Sequence, residues 1–399
     1  MVYIIAILLI IIGVFIFDLR ANSQINKSAS LQSYYYYIVC FYLICISAFQ
    51  YRIGADMPAY MGEYEQYSKN LSWDYLSSFS SRLPGWVLLN VICNGISSDF
   101  LCLKIVTSLF VNVILFKFFK RSTQYWFTCL FVYFISFYLT LNFNILRASI
   151  SIAIFIYALK FLQKKKLGKY YLLSLAALLF HESALLMLIL PFTSIFKITP
   201  KNINTFCVCT LIFSFIIFLL PNLSGVFTKL VSLIGVAGIS DRADTYIGGD
   251  MYTEYHFSIF GFLQNTLYLI VYLTILKIIV CNRNRDKYTI GMYYFFILLI
   301  ILNGSFPILY RFGSFIQPIY AVLAADAIIS IVNRQSLKLI LFGFIAIVFS
   351  VMHLNGLFIV SSYGELPIIQ YYPYYSVFDP QEYWLREMMW GYKETRELY

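Results

Sequence analysis

The sequence predicts an all-α, polytopic integral membrane protein with about 11–12 transmembrane helices. Of its 399 residues, 61% are hydrophobic and only 12% are charged, whereas a soluble domain carries about 25% charged residues. Apolar runs recur along the chain at the length that a helix needs to cross the hydrocarbon core of a bilayer. These observations predict a single polytopic membrane domain over residues 1–362.

The apolar runs place the predicted spans in chain order. They are 3–17, 34–50, 101–116, 125–141, 147–163, 170–192, 203–221, 258–280, 288–303, 312–331 and 338–360. The first run lacks a basic n-region and a small-residue cleavage site. We therefore interpret it as a retained span and not as a signal peptide.

Short basic stretches indicate the orientation of these spans, because Lys and Arg accumulate in loops that stay in the cytoplasm. The stretches are KFFKR (117–121), KKKLGK (164–169), RNRDK (283–287) and RQSLK (334–338). The outer face then receives loops 51–100 and 222–257 and the tyrosine-rich tail 363–399. This bias also explains the net charge of +10 without a nucleic-acid partner.

Two apolar stretches conflict with strict alternation between the two faces. If 82–97 crossed fully, the basic stretch 117–121 would move outside, so a re-entrant or interfacial helix is predicted there. Residues 170–192 form either a single span or a hairpin of two half-helices with His181 and Glu182 near its tip. Irregular backbone at membrane depth needs protein or water around it, so both places are candidates for a cavity.

Polar residues directly after the second span form the first candidate site. Arg52, Asp56, Tyr60 and Tyr64 are spaced by four and would share one face if the segment were helical. The alternative is an interfacial helix with Asp56 as its N-cap and Pro58 in its first turn. The pattern alone leaves both interpretations open.

Two arginines are predicted on the outer face, where the positive-inside tendency disfavours them. Arg147 begins one predicted span, and Arg311 follows a Gly- and Pro-containing break before another. Guanidinium groups match phosphate oxygens and stay charged, so the pair would suit a diphosphate. The alternative for Arg147 is a side chain that extends to the membrane interface.

His181 and Glu182 are ionisable residues within an apolar stretch, where such groups call for a functional explanation. The pair could act as a proton shuttle or base, or form a hydrogen bond between packed helices. One His without a second His or a Cys nearby does not favour a metal site, and no cofactor is expected.

The tail 363–399 is rich in Tyr and Pro in GELPIIQYYPYYSVF, which contains Tyr374, and ends in an amphipathic stretch. It is interpreted either as a lid over the outer vestibule or as an aromatic anchor, followed by an interfacial helix. The sequence lacks GxxxxGK[ST], HExxH and GxSxG motifs, which disfavours ATP-driven transport and soluble-type hydrolysis.

Five motifs in a fixed order carry a family resemblance. They are RIGADxxxY after the second span, LRASISIA, FHESAL, YRF and YYPYYSVF. This chain resembles the EpsG family of bacterial polysaccharide polymerases, which are related in role to Wzy-type O-antigen polymerases. The resemblance implies a GT-C-like glycosyltransferase of the bacterial inner membrane whose active site faces the periplasm. It would move a growing glycan from undecaprenyl diphosphate onto a lipid-linked repeat unit.

The resemblance also implies roles for the candidate residues. Arg147 and Arg311 would bind and neutralise the leaving diphosphate, and Asp56 or His181 would be the base, with Glu182 orienting the histidine. The remaining substrate-binding candidates are Arg52 and Tyr60 in the sugar groove and Tyr374 in the covering tail.

The implied partners are the lipid bilayer and an undecaprenyl-diphosphate-linked oligosaccharide, with a chain-length regulator and a flippase as further candidates. No nucleic acid and no metal are expected. Two rival functions remain open, a lipid-linked oligosaccharide flippase and a membrane acyltransferase that modifies surface glycans. A flippase should show internal repeats and midplane charges, and neither feature is visible in the sequence.

Overall fold

The computed structural model describes most of the chain. The described residues are 1–19, 29–67, 82–220, 259–282, 285–303, 309–332, 338–354, 358–360, 367–369, 371–383 and 386–387. The predicted outer loop 222–257 lies outside them, as does almost all of the predicted amphipathic helix at the end of the tail.

Nearly all of the described residues are helical, which confirms the predicted all-α class. In chain order the helices are α1 (Val2–Gly13), α2 (Ala29–Ala48), α3 (Met57–Tyr67), α4 (Pro84–Ile96), α5 (Leu101–Ser122), α6 (Trp126–Tyr133), α7 (Leu146–Gln163), α8 (Leu167–Leu178), α9 (Leu186–Ile189), α10 (Ile203–Phe218), α11 (Ile259–Asn282), α12 (Lys287–Asn303), α13 (Leu309–Val332) and α14 (Lys338–Leu354). Some helices are flanked by turns that are wider or narrower than α-helical turns. The wider, π-helical turns are Val14–Asp18, Phe134–Tyr138 and Thr140–Asn144, and the narrower, 3₁₀-helical turns are Glu182–Leu185 and Leu190–Ile195.

Several helices are suited to cross a membrane, which confirms a polytopic membrane protein. Within the described residues, five stretches are both long and apolar enough: Ala29–Ala48, Leu101–Ser122, Leu146–Gln163, Phe262–Asn282 and Arg311–Val332. Shorter apolar helices, including Val2–Asp18 and Trp126–Tyr138, accompany them.

The predicted final span, 338–360, is too long, because α14 ends at Leu354. A two-stranded antiparallel pair follows it, β1 (Phe358–Val360) and β2 (Pro367–Ile369).

The two irregular stretches of the sequence are also irregular in the structure. Helix α4 has 13 residues, about 20 Å at 1.5 Å per residue, which is shorter than the hydrocarbon core. It therefore fits the predicted re-entrant or interfacial helix. A single continuous span over 170–192 is wrong, because α8 ends at Leu178 and the chain turns at 179–181 before the next 3₁₀ segment.

The chain divides into two compact units, one of residues 1–185 and 324–399 and the other of residues 186–323. In the second unit, α12 packs closely on the 3₁₀ segment before α10. A Cβ on Gly291 would lie 2.2 Å from the Thr193 carbonyl oxygen, so only glycine permits this approach. The prediction of one membrane domain ending at residue 362 stays a prediction.

The first unit contains a buried polar network inside its helical core. Lys104 of α5 donates through Nζ to the Asn142 carbonyl oxygen at 3.0 Å, and Asn112 donates through Nδ2 to Asn142 Oδ1 at 2.7 Å. Asn142 lies in the π-helical turn that precedes α7. Such turns are frequent at functional sites, and this one fixes the segment that leads to Arg147.

Candidate functional site

The RIGAD segment forms a tight turn before α3 and is not part of the helix. Arg52 has φ 49° and Gly54 has φ 114°, and α3 begins only at Met57. The prediction that Arg52 and Asp56 share a helical face with Tyr60 is therefore wrong. Asp56 instead precedes the helix, where its carbonyl oxygen accepts the Tyr60 N–H at 3.1 Å, as the N-cap interpretation expects.

Gly54 is required where this turn lies against the end of the π-helical segment. A Cβ at this position would lie 1.8 Å from the Phe143 carbonyl oxygen. The next residue, Ala55, donates its N–H to Asn144 Oδ1 at 2.8 Å, and Asn144 Nδ2 donates to the Tyr371 hydroxyl at 2.7 Å. Asn144 thus joins the turn to the tail from one position.

The described part of the tail folds back onto the segment that follows α2. Tyr51 N donates to the Tyr375 carbonyl oxygen at 2.9 Å, and Val377 N donates to the Phe49 carbonyl oxygen at 2.9 Å. The Tyr374 hydroxyl donates to the Ile46 carbonyl oxygen at 3.1 Å. Both the backbone and side chains of the tail therefore hold it against the start of the site.

Arg52 is held by carboxylates of the tail. Its Nε and Nη2 donate to the two Glu387 oxygens at 3.0 and 2.7 Å, and Glu382 lies 3.6 Å from Nε. Arg386 donates through Nη2 to the Arg52 carbonyl oxygen at 3.3 Å. The hydrogen bonds to Glu387 raise the pKa of Arg52 above its ordinary value. We call Arg52, Arg386 and Glu387 the tail latch.

Arg147 has a different environment at the start of α7. Its guanidinium carbon lies 5.9 Å from the centroid of the Tyr60 ring, within cation–π range. Its Nε is buried and has no hydrogen-bond partner among the described residues. The Tyr60 ring lies 5.3 Å from that of Trp86, so aromatic faces line this side of the arginine.

Glu63 organises the opposite side of the same cluster. Its carboxylate accepts from the Tyr67 hydroxyl at 2.9 Å, from Arg82 Nε at 3.1 Å and from Trp86 Nε1 at 3.2 Å. Burial raises the pKa of Tyr60 to about 12, so its hydroxyl stays protonated near neutral pH. We call Tyr60, Glu63, Arg82, Trp86 and Arg147 the arginine–aromatic cluster.

Three members of this cluster are not among the candidates predicted from the sequence: Glu63, Arg82 and Trp86. One sequence signal could have indicated two of them. Arg82 and Trp86 lie at the start of the stretch 82–97, which is predicted not to cross the membrane fully. Their contact with Glu63 has no sequence signature, because the pairs are 19 and 23 residues apart and follow from tertiary packing. The cluster combines two cations with one carboxylate, an arrangement that favours an anionic ligand.

His181 lies at the break after α8, close in space to the start of α7. The Ala177 carbonyl oxygen accepts both the Ser151 hydroxyl at 2.8 Å and the His181 N–H at 3.3 Å. Because Arg147 precedes Ser151 by about one helical turn, Arg147 and His181 lie near the same end of the α7–α8 pair. The Gly85 N–H donates to the Leu179 carbonyl oxygen at 2.8 Å, which brings α4 to this end as well.

The hydrogen bonds of His181 constrain its chemistry. Its Nδ1 accepts the Ser183 N–H at 3.1 Å and lies 2.6 Å from the Ser183 hydroxyl oxygen. Neutral His181 in this arrangement carries its proton on Nε2, so Nε2 is a donor and not a base. Asp56 is exposed and precedes the helix that carries Tyr60, while Glu182 is also exposed.

Arg311 belongs to the second unit, near the beginning of α13, and is exposed. The remaining candidates lie in the first unit, where Arg52 and Tyr374 join the tail and Tyr60 and Arg147 join the cluster. Within the described ranges, no group of three or more His, Cys, Asp or Glu residues could hold a metal ion. We therefore assign no metal ligands.

The fold and this site together define a multi-pass membrane protein with an arginine-containing polar site at one end of its helices. Comparison with protein-family models matches residues 33–376 to the EpsG family. The chain therefore belongs to the EpsG family, a family of Wzy-like polymerases. No curated protein and no solved structure matches the chain.

Proposed function

We propose that this protein is a polysaccharide polymerase of the GT-C type in the bacterial inner membrane. It transfers a growing glycan from undecaprenyl diphosphate onto a lipid-linked repeat unit at the periplasmic face. Family membership supports the polymerase class. The observation that carries the proposed chemistry is the buried Nε of Arg147, which has no acceptor among the described residues and is adjacent to the aromatic face of Tyr60.

In this proposal the arginines stabilise the charge that develops on the leaving diphosphate. Arg147 supplies an unused N–H, and Arg82 is fixed through its Nε by Glu63. Donors fixed in advance stabilise a transition state without reorganisation. Arg311, which lies in the other compact unit, stays a prediction from the sequence. The rings of Tyr60 and Trp86 provide faces for sugar packing.

The proposed transfer forms one bond and breaks one. The acceptor hydroxyl oxygen attacks the anomeric carbon of the growing glycan, and the bond from that carbon to the diphosphate oxygen breaks. The lipid diphosphate leaves with the electron pair. Asp56 takes the hydroxyl proton, a role that its exposure and position support better than the donor-only Nε2 of His181 does. His181, with Glu182 beside it, would donate a hydrogen bond to substrate.

A reconstituted reaction tests this function. Purified full-length protein receives an undecaprenyl-diphosphate-linked repeat unit in detergent, and products are separated by length. A ladder is expected. Acyl transfer to the glycan would indicate the acyltransferase alternative, and absence of both reactions together with lipid translocation in vesicles would indicate a flippase.

The choice of base is tested in the same assay. Asp56→Asn should lower the rate by about 10²–10⁴-fold, the range for loss of a general base. His181→Ala should have the smaller effect. If His181→Ala abolishes the ladder while Asp56→Asn retains full activity, the assignment of the base to Asp56 is wrong.

A further inference from the structure

A long apolar cavity runs along the first unit beside the candidate site. It has a volume of about 740 Å³, within the range of about 300–1,000 Å³ that is usual for small-molecule sites. It lies among α1, the π-helical extension of α6, α14 and the tail. Every one of these elements belongs to the same compact unit.

The shape of the cavity suits a chain. Along α1 and the π-helical turn that continues it, the cavity is lined at every fourth residue, by Tyr3, Ile7, Ile11 and Phe15, which form one stripe. Tyr3 and Phe15 are roughly 18 Å apart along the axis at about 1.5 Å per residue. A stripe of α14 and the π-helical extension of α6 line the same space, so the cavity follows α1 and α14 over most of their length.

The two ends of the cavity differ in polarity. At one end the Phe342 ring lies 6.0 Å from Phe15 and 6.2 Å from Phe131, which makes this end aromatic and apolar. At the other end are Tyr3 and Tyr371, where the Tyr3 hydroxyl donates to the Tyr371 carbonyl oxygen at 2.9 Å. A ligand with one polar end and one long apolar chain matches this gradient.

Hydrogen bonds connect the polar end of the cavity to the turn that begins the candidate site. The Tyr371 hydroxyl accepts from Asn144 Nδ2, the residue that also holds Ala55 of the RIGAD turn. Arg147 follows Asn144 by three residues at the start of α7. An anionic headgroup at the tyrosine end would therefore lie near the segment that leads to Arg147.

We propose that this cavity binds the isoprenoid chain of the lipid carrier and so directs its diphosphate toward the cluster. The inference rests on the proposed function for the identity of the carrier. The chain-like apolar cavity, the polarity of its ends and the hydrogen bonds from its polar end to the RIGAD turn support this assignment. A bilayer phospholipid is the competing occupant, and the test separates the two.

Photocrosslinking tests the occupant directly. Full-length protein carries a photoreactive benzoyl-phenylalanine at Ile347, which lines the cavity, or at Phe344 of the same helix, which does not. The two positions are matched, because their side chains are 65% and 64% exposed. Liposomes contain phosphatidylethanolamine, phosphatidylglycerol and a minor fraction of undecaprenyl phosphate, and adducts are identified by mass.

The Ile347 adduct should contain undecaprenyl phosphate at several times its share of the lipid, whereas the Phe344 adduct should follow bulk composition. Farnesyl phosphate, which has the same headgroup on a short chain, should compete poorly. Equal adducts at the two positions, or a phospholipid adduct alone at Ile347, would overturn the proposal. So would competition by farnesyl phosphate equal to that of the long chain.

A narrowed cavity provides the second measurement. A Cβ on Gly343 would meet no described atom within 4 Å, so Gly343→Leu enters open space and should fold. It should reduce the undecaprenyl phosphate adduct at Ile347 several-fold, and Ile340→Phe, on the lipid-exposed face of the same helix, should leave it unchanged. Because this readout needs no glycan and no turnover, an enriched adduct without polymerase activity would reject the proposed function alone.

Discussion

Arg52 and Arg147 lie in the same compact unit, yet their guanidinium groups have opposite surroundings. Arg52 makes a bidentate ion pair with Glu387, whose side chain is fully buried. Arg147 faces the Tyr60 ring and keeps a buried Nε with no acceptor among the described residues. Sequence reasoning assigned both arginines to the substrate, but their contacts assign them different tasks.

The comparison teaches that a cation in a candidate site must be judged by its acceptors. An arginine that already has a bidentate carboxylate offers little to a ligand, because binding would first have to break that pair. A buried N–H without an acceptor is costly, and a ligand oxygen would remove the cost. We therefore treat the tail latch as structural and the arginine–aromatic cluster as the ligand site.

The largest expected effect is loss of the tail latch. Arg52→Ala leaves the buried Glu387 carboxylate without its partner, which should cost about 3–5 kcal/mol of folding free energy. Glu387→Ala should cost a similar amount, and the double variant should cost less than the sum. Thermal unfolding and protease cleavage of the tail measure this. If Arg52→Ala stops polymerisation while the tail stays protected, the structural assignment is wrong.

The next effect concerns catalysis. Arg147→Ala should lower the rate of chain extension by about 10²–10³-fold, as for loss of one donor to a developing charge, with thermal stability nearly unchanged. Arg147→Lys should retain part of the rate, because the charge remains but the fork is lost. Lys160→Ala, which removes a cation near the other end of α7, is the control. Normal extension by Arg147→Ala would contradict the ligand role.

Gly54→Ala sharpens the comparison because it acts on the turn that carries Arg52. The positive φ at this position should cost about 1–3 kcal/mol for alanine, and the approach to the Phe143 carbonyl oxygen adds to it. We expect lower thermal stability and faster tail cleavage. Gly95→Ala, in the last turn of α4 and with open space around its Cβ, is the control and should not increase tail cleavage.

The smallest expected effect is that of Glu63→Gln. The amide keeps the shape of the side chain but weakens the bond from Arg82, which should cost about 1–2 kcal/mol for a charge-assisted hydrogen bond. Chain extension should fall by roughly tenfold, with the tail still protected from protease. An unchanged rate would show that Arg82 does not contribute to catalysis. Arg147 would then be the only cation of the cluster that does.

The sequence was sufficient for most of the long apolar helices, because apolar length and the bilayer thickness together determine where spans are possible. The sequence also indicated that Arg147 is unusual, because an arginine at the outer start of a span departs from the positive-inside tendency. The break near His181 was recognised as one of two alternatives. Each of these features depends on residues close together in the chain.

The contacts that define the site could not be predicted from spacing. Glu63 of α3 meets Arg82, which precedes α4, and Arg52 meets Glu387 across 335 positions of sequence. The helical spacing from Arg52 to Tyr60 indicated a shared face, but the positive φ of Arg52 and Gly54 breaks it. Side-chain pairing over such distances follows from tertiary packing, which one sequence does not encode in a local pattern.

The separation between Arg52 and Glu387 also has a consequence during synthesis. A ribosome that adds about 5–20 residues per second needs roughly 20–70 seconds to travel from one to the other. Throughout that interval the early arginine is in place without its counterion, and the segment around it has no tail to hold it. The region around Arg52 would therefore be completed last. A nonsense mutation that removes the tail should then destabilise this region as a substitution of Arg52 does.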